Sequence, residues 1–439
     1  MLRILANVTY RNLFAAQIVS LAGTGLTTVA LALLAYDLAG PNAGQVLGTA
    51  LAIKMLAYVG IAPFAAALAE RLPRRGLLVA LNAVRALIVL GLPFVTSIWQ
   101  IYVLIFLLQS ASAAYTPTFQ ATIPDILIDE RDYTQALSLS RLAYDLENLL
   151  SPMLAAALLT VLAFSDLFVG TAIGFVVAAI LVLSTRLPQT TLDSDEPFHR
   201  RALAGLRLYL ATPRLRGVMG INLAVASAGA MVIVNTVILV QESFGLDDQA
   251  TAFALAAFGF GSMLAALALP RLLDRFEDRI VMVSGALVML LGLLGGIVLF
   301  DYWLLLSLWF VIGLGYATAQ TPIGRLLKRS AHPEDRPAVF AAQFTLSHAM
   351  WLISYPLAGS LSVAADMATA FLTLSALCAV GILAAFLCWP KSETKAIDHH
   401  HDDLPADHPH WREGVQTGQA SHAHQVTIDR LHKSWPREP

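Results

Sequence analysis

Charge is scarce in this chain. Only 13% of its 439 residues are Asp, Glu, Lys or Arg, while 57% are apolar. A soluble globular domain carries about a quarter charged residues, so the composition excludes an ordinary water-soluble fold. Cysteine is nearly absent. The two present, Cys378 and Cys388, stand ten residues apart in one apolar run, a spacing that argues against a disulfide and for small packing side chains. A phosphate-binding loop of the G-x-x-x-x-G-K-[ST] type is missing, and no soluble catalytic domain follows the last apolar run. An ATP-driven pump within this chain is thereby excluded, and neither enzymatic activity nor a cofactor is expected. The net charge of −2 gives no reason to expect a nucleic-acid partner. Histidine is rare as well, until the end: eight of the eleven lie at or after His399.

What fills the chain is hydrocarbon. Twelve apolar runs, each long enough as a helix to cross roughly 30 Å of lipid, fall at about 13–38, 46–69, 77–96, 100–118, 140–162, 167–186, 218–240, 250–270, 280–300, 303–322, 340–363 and 367–389. The first is too long for the core of a cleaved signal peptide and is read as helix 1. Loops 1-2, 3-4, 5-6, 7-8, 9-10 and 11-12 hold no Lys or Arg, and every basic residue outside the spans lies in the alternate loops or at the ends. Basic residues are retained in the cytoplasm during insertion, so both termini are expected there, in a bacterial inner membrane, with lipid as the surrounding partner.

The chain repeats itself at an offset of about 204 residues. AALAERLPRR from Ala66 returns as PRLLDRFEDR from Pro270, so that Glu70-Arg71 matches Asp274-Arg275. Thr116-Pro117 returns as Thr321-Pro322, and Pro152 as Pro356. The expected architecture is an all-α membrane protein of twelve transmembrane helices in two pseudo-symmetric six-helix bundles. Residues 1–186 and 218–390 form the bundles, 187–217 a cytoplasmic linker, and 391–439 a polar, disordered tail.

AALAERLPRR resembles the loop 2-3 signature of the major facilitator superfamily, G-x-L-A-D-R-x-G-R-R/K, with Ala66 and Pro73 at the glycines and Glu70 at the aspartate. The resemblance covers residues 1–390. It implies two bundles that rock about a midplane cavity, with loop residues Glu70, Arg71, Arg74, Arg75, Asp274 and Arg275 as gating elements, although the same charges also serve as the topology signal. Helix 5 resembles the exporter signature G-x-x-x-G-P-x-x-G-G, with Glu147, Ser151, Pro152, Ala155 and Ala156 at those positions. Export is therefore expected over uptake, by a monomer running on an ion gradient, with proton exchange the usual solution in that family.

Glu147 departs from that signature, and a carboxylate inside a span is costly enough to be a functional hypothesis. Tyr144, Glu147, Asn148 and Ser151 share one helical face. Glu147 reads as a cation ligand or proton carrier facing the cavity, or as a satisfied interhelical hydrogen bond. Asp145 reads as an ion pair with Arg141 one turn away, with proton transfer the other option. His348, opposite Tyr144 in the repeat, is a metal ligand, a proton relay or a donor to a neighbouring helix. Lys54 is a cavity counter-charge or a snorkelling side chain, and Arg85 is expected to pair with a carboxylate. Gln17, Gln109, Asn222, Asn235, Gln320 and Gln343 supply polar lining or interhelical bonds.

The tail offers His399, His400, His401, Asp402, Asp403, His408, His410, His422 and His424, imidazoles and carboxylates suited to nickel, cobalt or zinc. Such a tail after a twelve-helix facilitator looks like that of the proteobacterial nickel-resistance exporters. That resemblance implies export of a divalent metal, nickel or cobalt first. The alternatives are efflux of a small organic molecule, either a drug or a siderophore, and a metal sensor that does not transport.

Overall fold

Backbone groups in lipid have no water to bond, so an apolar chain of this length satisfies them within helices. In the computed structural model, which describes residues 2–39, 43–69, 72–188, 198–298, 301–390, 397–400, 415–416 and 421–424, twelve long helices and two short ones do so. The first bundle holds α1 (Val8–Ala39), α2 (Ala43–Ala69), α3 (Arg74–Gly91), α4 (Ile98–Ile126), α5 (Glu130–Leu159) and α6 (Phe164–Leu183). A short amphipathic helix, α7 (Phe198–Ala211), lies in the linker. The second bundle holds α8 (Pro213–Val237, prolonged by a π-turn to Ser243), α9 (Asp248–Leu273), α10 (Asp278–Gly296), α11 (Tyr302–Gln320), the short α12 (Ile323–Ser330), α13 (Arg336–Ala364) and α14 (Met367–Cys388).

Acids start several helices. Asp247, Asp301 and Asp366 accept the backbone N–H of Ala250, Leu304 and Thr369 at 3.0, 2.8 and 2.6 Å, as N-caps should. On the opposite, basic face, Asp129 caps α5 through Arg131 and Asp132. There α4 and α5 run on past the expected spans, to Ile126 and back to Glu130, and carry charge beyond the apolar zone.

Nine helices among the described residues are long and apolar enough to cross a membrane. Of the other long helices, α2 carries a shorter apolar stretch, Thr49–Ala65, while α5 and α13 are more polar; at the seam between the bundles α13 packs on α2 and α5 on α9. Each bundle has its own apolar core, one built around Trp309, Phe371 and Met231 and the other around Phe168, Ile101 and Leu92. A smaller cluster joins them, with Phe344 of α13 set against Ala62, Ala113 and Tyr58.

In the tail, Ile397–His400, Val415–Gln416 and Ser421–His424 form a small antiparallel sheet in the order β1-β3-β2, with His399 the register partner of His422. His401, Asp402, Asp403, His408 and His410 lie outside the described residues.

Candidate functional site

At mid-depth, α5 presents Glu147 to α1 and α2. A Cβ on Gly25 of α1 would stand 2.0 Å from Ser151 Oγ and 3.1 Å from Glu147 Oε1, so glycine is what lets α1 close on this face of α5. Lys54 of α2 lies within electrostatic range of Glu147, and its ammonium stands 5.6 Å from the centre of the Tyr58 ring. Tyr58 donates to Gln109 at 2.8 Å, and Tyr144 meets Gln17, which also accepts from Ser140 at 3.1 Å. Asn148 is in the helix, but its side chain is outside the described set.

The second bundle reaches the same place through α13. His348 lies edge-on to Tyr58 at 4.7 Å and beside Phe344 at 4.1 Å, while Phe344 and Tyr58 are 4.9 Å apart. Its Nδ1 is 2.7 Å from the Phe344 carbonyl, which can only accept, so Nδ1 carries the proton and Nε2 keeps the lone pair. Carboxylate, ammonium, imidazole and phenol from both bundles therefore converge. Among the described residues, no three His, Cys, Asp or Glu side chains gather as a closed metal site.

Arg85 corrects an expectation. Among the described residues it has no carboxylate partner. Instead its guanidinium lies between the rings of Tyr115 and Phe175, 4.2 Å from each, and donates to Ser20 at 3.1 Å and to Asn82. The planar, weakly hydrated cation exchanges water for two aromatic faces, a solution that lysine could not copy. Of the polar set, Asn222 and Gln343 bond each other and Asn235 bonds the Ala358 carbonyl, so these act as glue between helices.

One to two turns nearer the basic face, Arg141 and Asp145 form the expected ion pair, with Nε to Oδ2 at 3.1 Å. The pair also crosses the seam, to Ser262 of α9 and Gln320 of α11.

At the basic face the bundles are bolted together. Arg74 bonds Asp125 at 2.5 Å within the first bundle, and Arg336 of the second joins the same carboxylate. In the second bundle Arg329 bonds Asp278 at 2.6 Å, and Glu130 of the first joins that arginine at 2.9 Å. Arg325 holds Glu130 and Asp278 (3.2 Å) together and donates to Thr134 at 3.0 Å. Lys328 reaches the carbonyls of Leu127 and Ile128 at the open end of α4, 3.0 and 2.7 Å away. Glu130 is half-buried, which would raise its carboxyl, but the hydrogen bond and charge of Arg329, with Arg325 and Lys328 beyond, hold it below the usual range.

The sequence motif residues play smaller parts. Asp274 meets Arg131 at 3.5 Å in an exposed pair across the seam, Arg275 is exposed, and Arg75 donates to the Thr185 carbonyl within its own bundle. Glu70 and Arg71 lie outside the described residues. Asp125, Glu130, Asp278, Arg325, Lys328, Arg329 and Arg336 were missed. The repeat offset held the signal, because it sets Arg74 against Asp278 and Asp125 against Arg329.

The Major Facilitator Superfamily profile matches residues 13–237 and 219–416. This chain belongs to the Major Facilitator Superfamily. It is similar to macrolide efflux protein A of Streptococcus pyogenes, 23% identical over 41% of this chain and 45% of that protein, so the match spans less than half of the relative. An uncharacterised transporter of Bacillus subtilis, YfiS, is 23% identical over 75% of this chain and 81% of its own length. The crystal structure of the human organic anion transporter MFSD10 superposes with a TM-score of 0.75, at 14% identity, over 86% of this chain and 99% of that one. The fold is that of the superfamily.

Proposed function

We propose that this facilitator exports its substrate from the cytoplasm in exchange for protons, with Glu147 the shared binding point. The observation that carries this reading is Glu147 of α5 at mid-depth, against Gly25 of α1 and within electrostatic range of Lys54, with His348 of the other bundle against Tyr58 in the same cluster. A carboxylate there holds one partner at a time: the Lys54 ammonium, a proton or a cationic substrate. Binding of one expels another, which is the requirement for exchange. The basic-face bolts describe a conformation shut towards the cytoplasm, on the positive-inside reading of the loops. Substrate would load after those bolts release.

The substrate favoured is a divalent metal ion, nickel or cobalt. Glu147, His348 Nε2 and amide or phenol oxygens would offer an open set of one imidazole nitrogen with hard oxygens, and a transported ion needs a site that also lets it go. The tail histidines, with His399 and His422 in register, would collect the ion on the cytoplasmic side. A second reading is efflux of a small organic molecule. Tyr58, Tyr144 and Phe344 around the site favour it, as does the likeness to a macrolide efflux protein.

The test is elemental analysis of metal-loaded cells expressing the parent, Glu147→Gln, or a chain ended at Lys395. Metal export predicts lower nickel or cobalt with the parent, loss of that effect in Glu147→Gln, and a weaker effect on truncation. Unchanged metal with a correctly inserted parent rejects the metal and turns the test to macrolide-like cations.

A further inference from the structure

We propose that Arg141, Asp145 and Ser262 form an inner gate, separate from the basic-face bolts, that must part before the cavity opens to the basic side. This rests on alternating access but not on any particular substrate. Helix α5 enters from the basic face at Glu130, so at about 1.5 Å per residue Arg141 lies roughly 16 Å inside and Glu147 one to two turns deeper. The gate therefore stands between the site and that face.

Its bonds form a closed ring across the seam. Arg141 Nε donates to Asp145 at 3.1 Å and to Ser262 Oγ at 3.0 Å, and Ser262 returns its own proton to Asp145 Oδ2 at 2.7 Å. Arg141 Nη1 donates to Gln320 at 3.0 Å, and the guanidinium lies 4.7 Å from the centre of the Tyr316 ring. Asp145 is 4% exposed and Ser262 fully buried, so water does not compete for these bonds. The ion pair belongs wholly to α5. When α9 and α11 draw away, each charge keeps its partner, and what is lost is the bonds to Ser262 and Gln320 and the ring contact with Tyr316. Splitting a buried pair between the bundles would strand a charge at several times that cost.

The repeat sharpens the point. At the same offset Ser262 corresponds to Tyr58, Arg141 to Thr345 and Asp145 to Ala349. The equivalent seam between α2 and α13 is thus joined by aromatic rings, Tyr58 against Phe344 and His348, with no ion pair among the described residues. Directional bonds hold the α5–α9 seam, whereas stacking holds its counterpart and tolerates sliding. The first is the seam that opens in one step.

The test is labelling with a membrane-impermeant maleimide, in vesicles with the basic face outward and no substrate present. The reporter is Tyr144→Cys, deeper than Arg141 on α5 and outside the ring of bonds, in a full-length chain whose Cys378 and Cys388 are alanine. Combining it with Arg141→Gln and Asp145→Asn, which removes both charges together, should speed labelling about tenfold or more, as loss of charge-assisted bonds implies. Gln320→Ala keeps both charges, guards against misfolding of the double variant, and should give a smaller rise. Equal rates in all three, with parental insertion and thermal midpoint, would overturn the gate. Because no substrate is present, that result would leave the export reading untouched.

Discussion

Asp125 and Arg329 stand at equivalent places in the two bundles and carry opposite charge. Each bonds the first residue of an earlier helix in its own bundle, Arg74 of α3 for one and Asp278 of α10 for the other, with acid and base exchanged. Each then takes one partner from across the seam: Arg336 joins Asp125, and Glu130 joins Arg329. Most of the polar seam contacts are built on an ion pair that survives separation. The bundles can part without stranding those charges, which suits a contact that must be made and broken in every cycle.

Arg336→Ala tests this arrangement directly. It removes a cross-seam partner while Arg74 still neutralises Asp125, so the fold should hold. Loss of one charge-assisted bond, about 1.5–3 kcal/mol, should shift the population towards the conformation open at the basic face. Labelling of a cysteine placed at Thr134 should then accelerate severalfold or more. Asp125→Ala, which leaves both arginines unpaired, should lower Tm as well.

Acid should loosen the same bolts. Glu130 has a pKa held below its ordinary value in the closed state, chiefly by Arg329 and Arg325 against the opposing effect of burial. A depressed carboxylate stabilises the closed state fully above the ordinary glutamate pKa of about 4.3 and less as pH falls through the lower value. Basic-face accessibility, read by labelling with a probe insensitive to pH, should rise in that acid window. In Glu130→Gln it should be high already and flat through it.

Arg85 answers to shape as well as charge. Its rings at 4.2 Å on both sides favour the flat guanidinium, so Arg85→Lys should lower stability by about 1–2 kcal/mol despite the retained charge. Arg85→Met, which removes the buried charge altogether, should cost less. Thermal unfolding in detergent distinguishes the two, and the reverse order would contradict the stacked reading.

Gly25 ties packing to the site. A methyl group there would meet Ser151 at 2.0 Å, so Gly25→Ala must push α1 and α5 apart and displace Glu147. Transport should fall steeply while the protein still inserts. Adding Ser151→Gly, which removes the obstructing side chain, should restore a good part of it, as a purely steric fault would.

The twelve spans, the twofold repeat and the Arg141–Asp145 pair were legible because each leaves a periodic trace: run length, a constant offset, a spacing of four. Lys54 and Glu147 stood out because charge in an apolar run is rare. Contacts across the seam left no such trace. Ser262 is an unremarkable serine among apolar residues until α9 meets α5, and Arg329 looked like topology signal until Glu130 stood beside it. Arg85 misled for a related reason: a buried cation suggests an acid, and nothing local reveals that Tyr115 and Phe175 close over it from other helices.

The central claim is exchange at Glu147. Everted vesicles with purified protein, a trapped pH indicator and an acid interior test it most directly. Adding nickel or cobalt outside should release protons from the lumen with the parent, and Glu147→Gln should abolish that release while still binding metal weakly or not at all. Proton release of equal size in Glu147→Gln, or metal entry with no proton movement in the parent, would contradict the account.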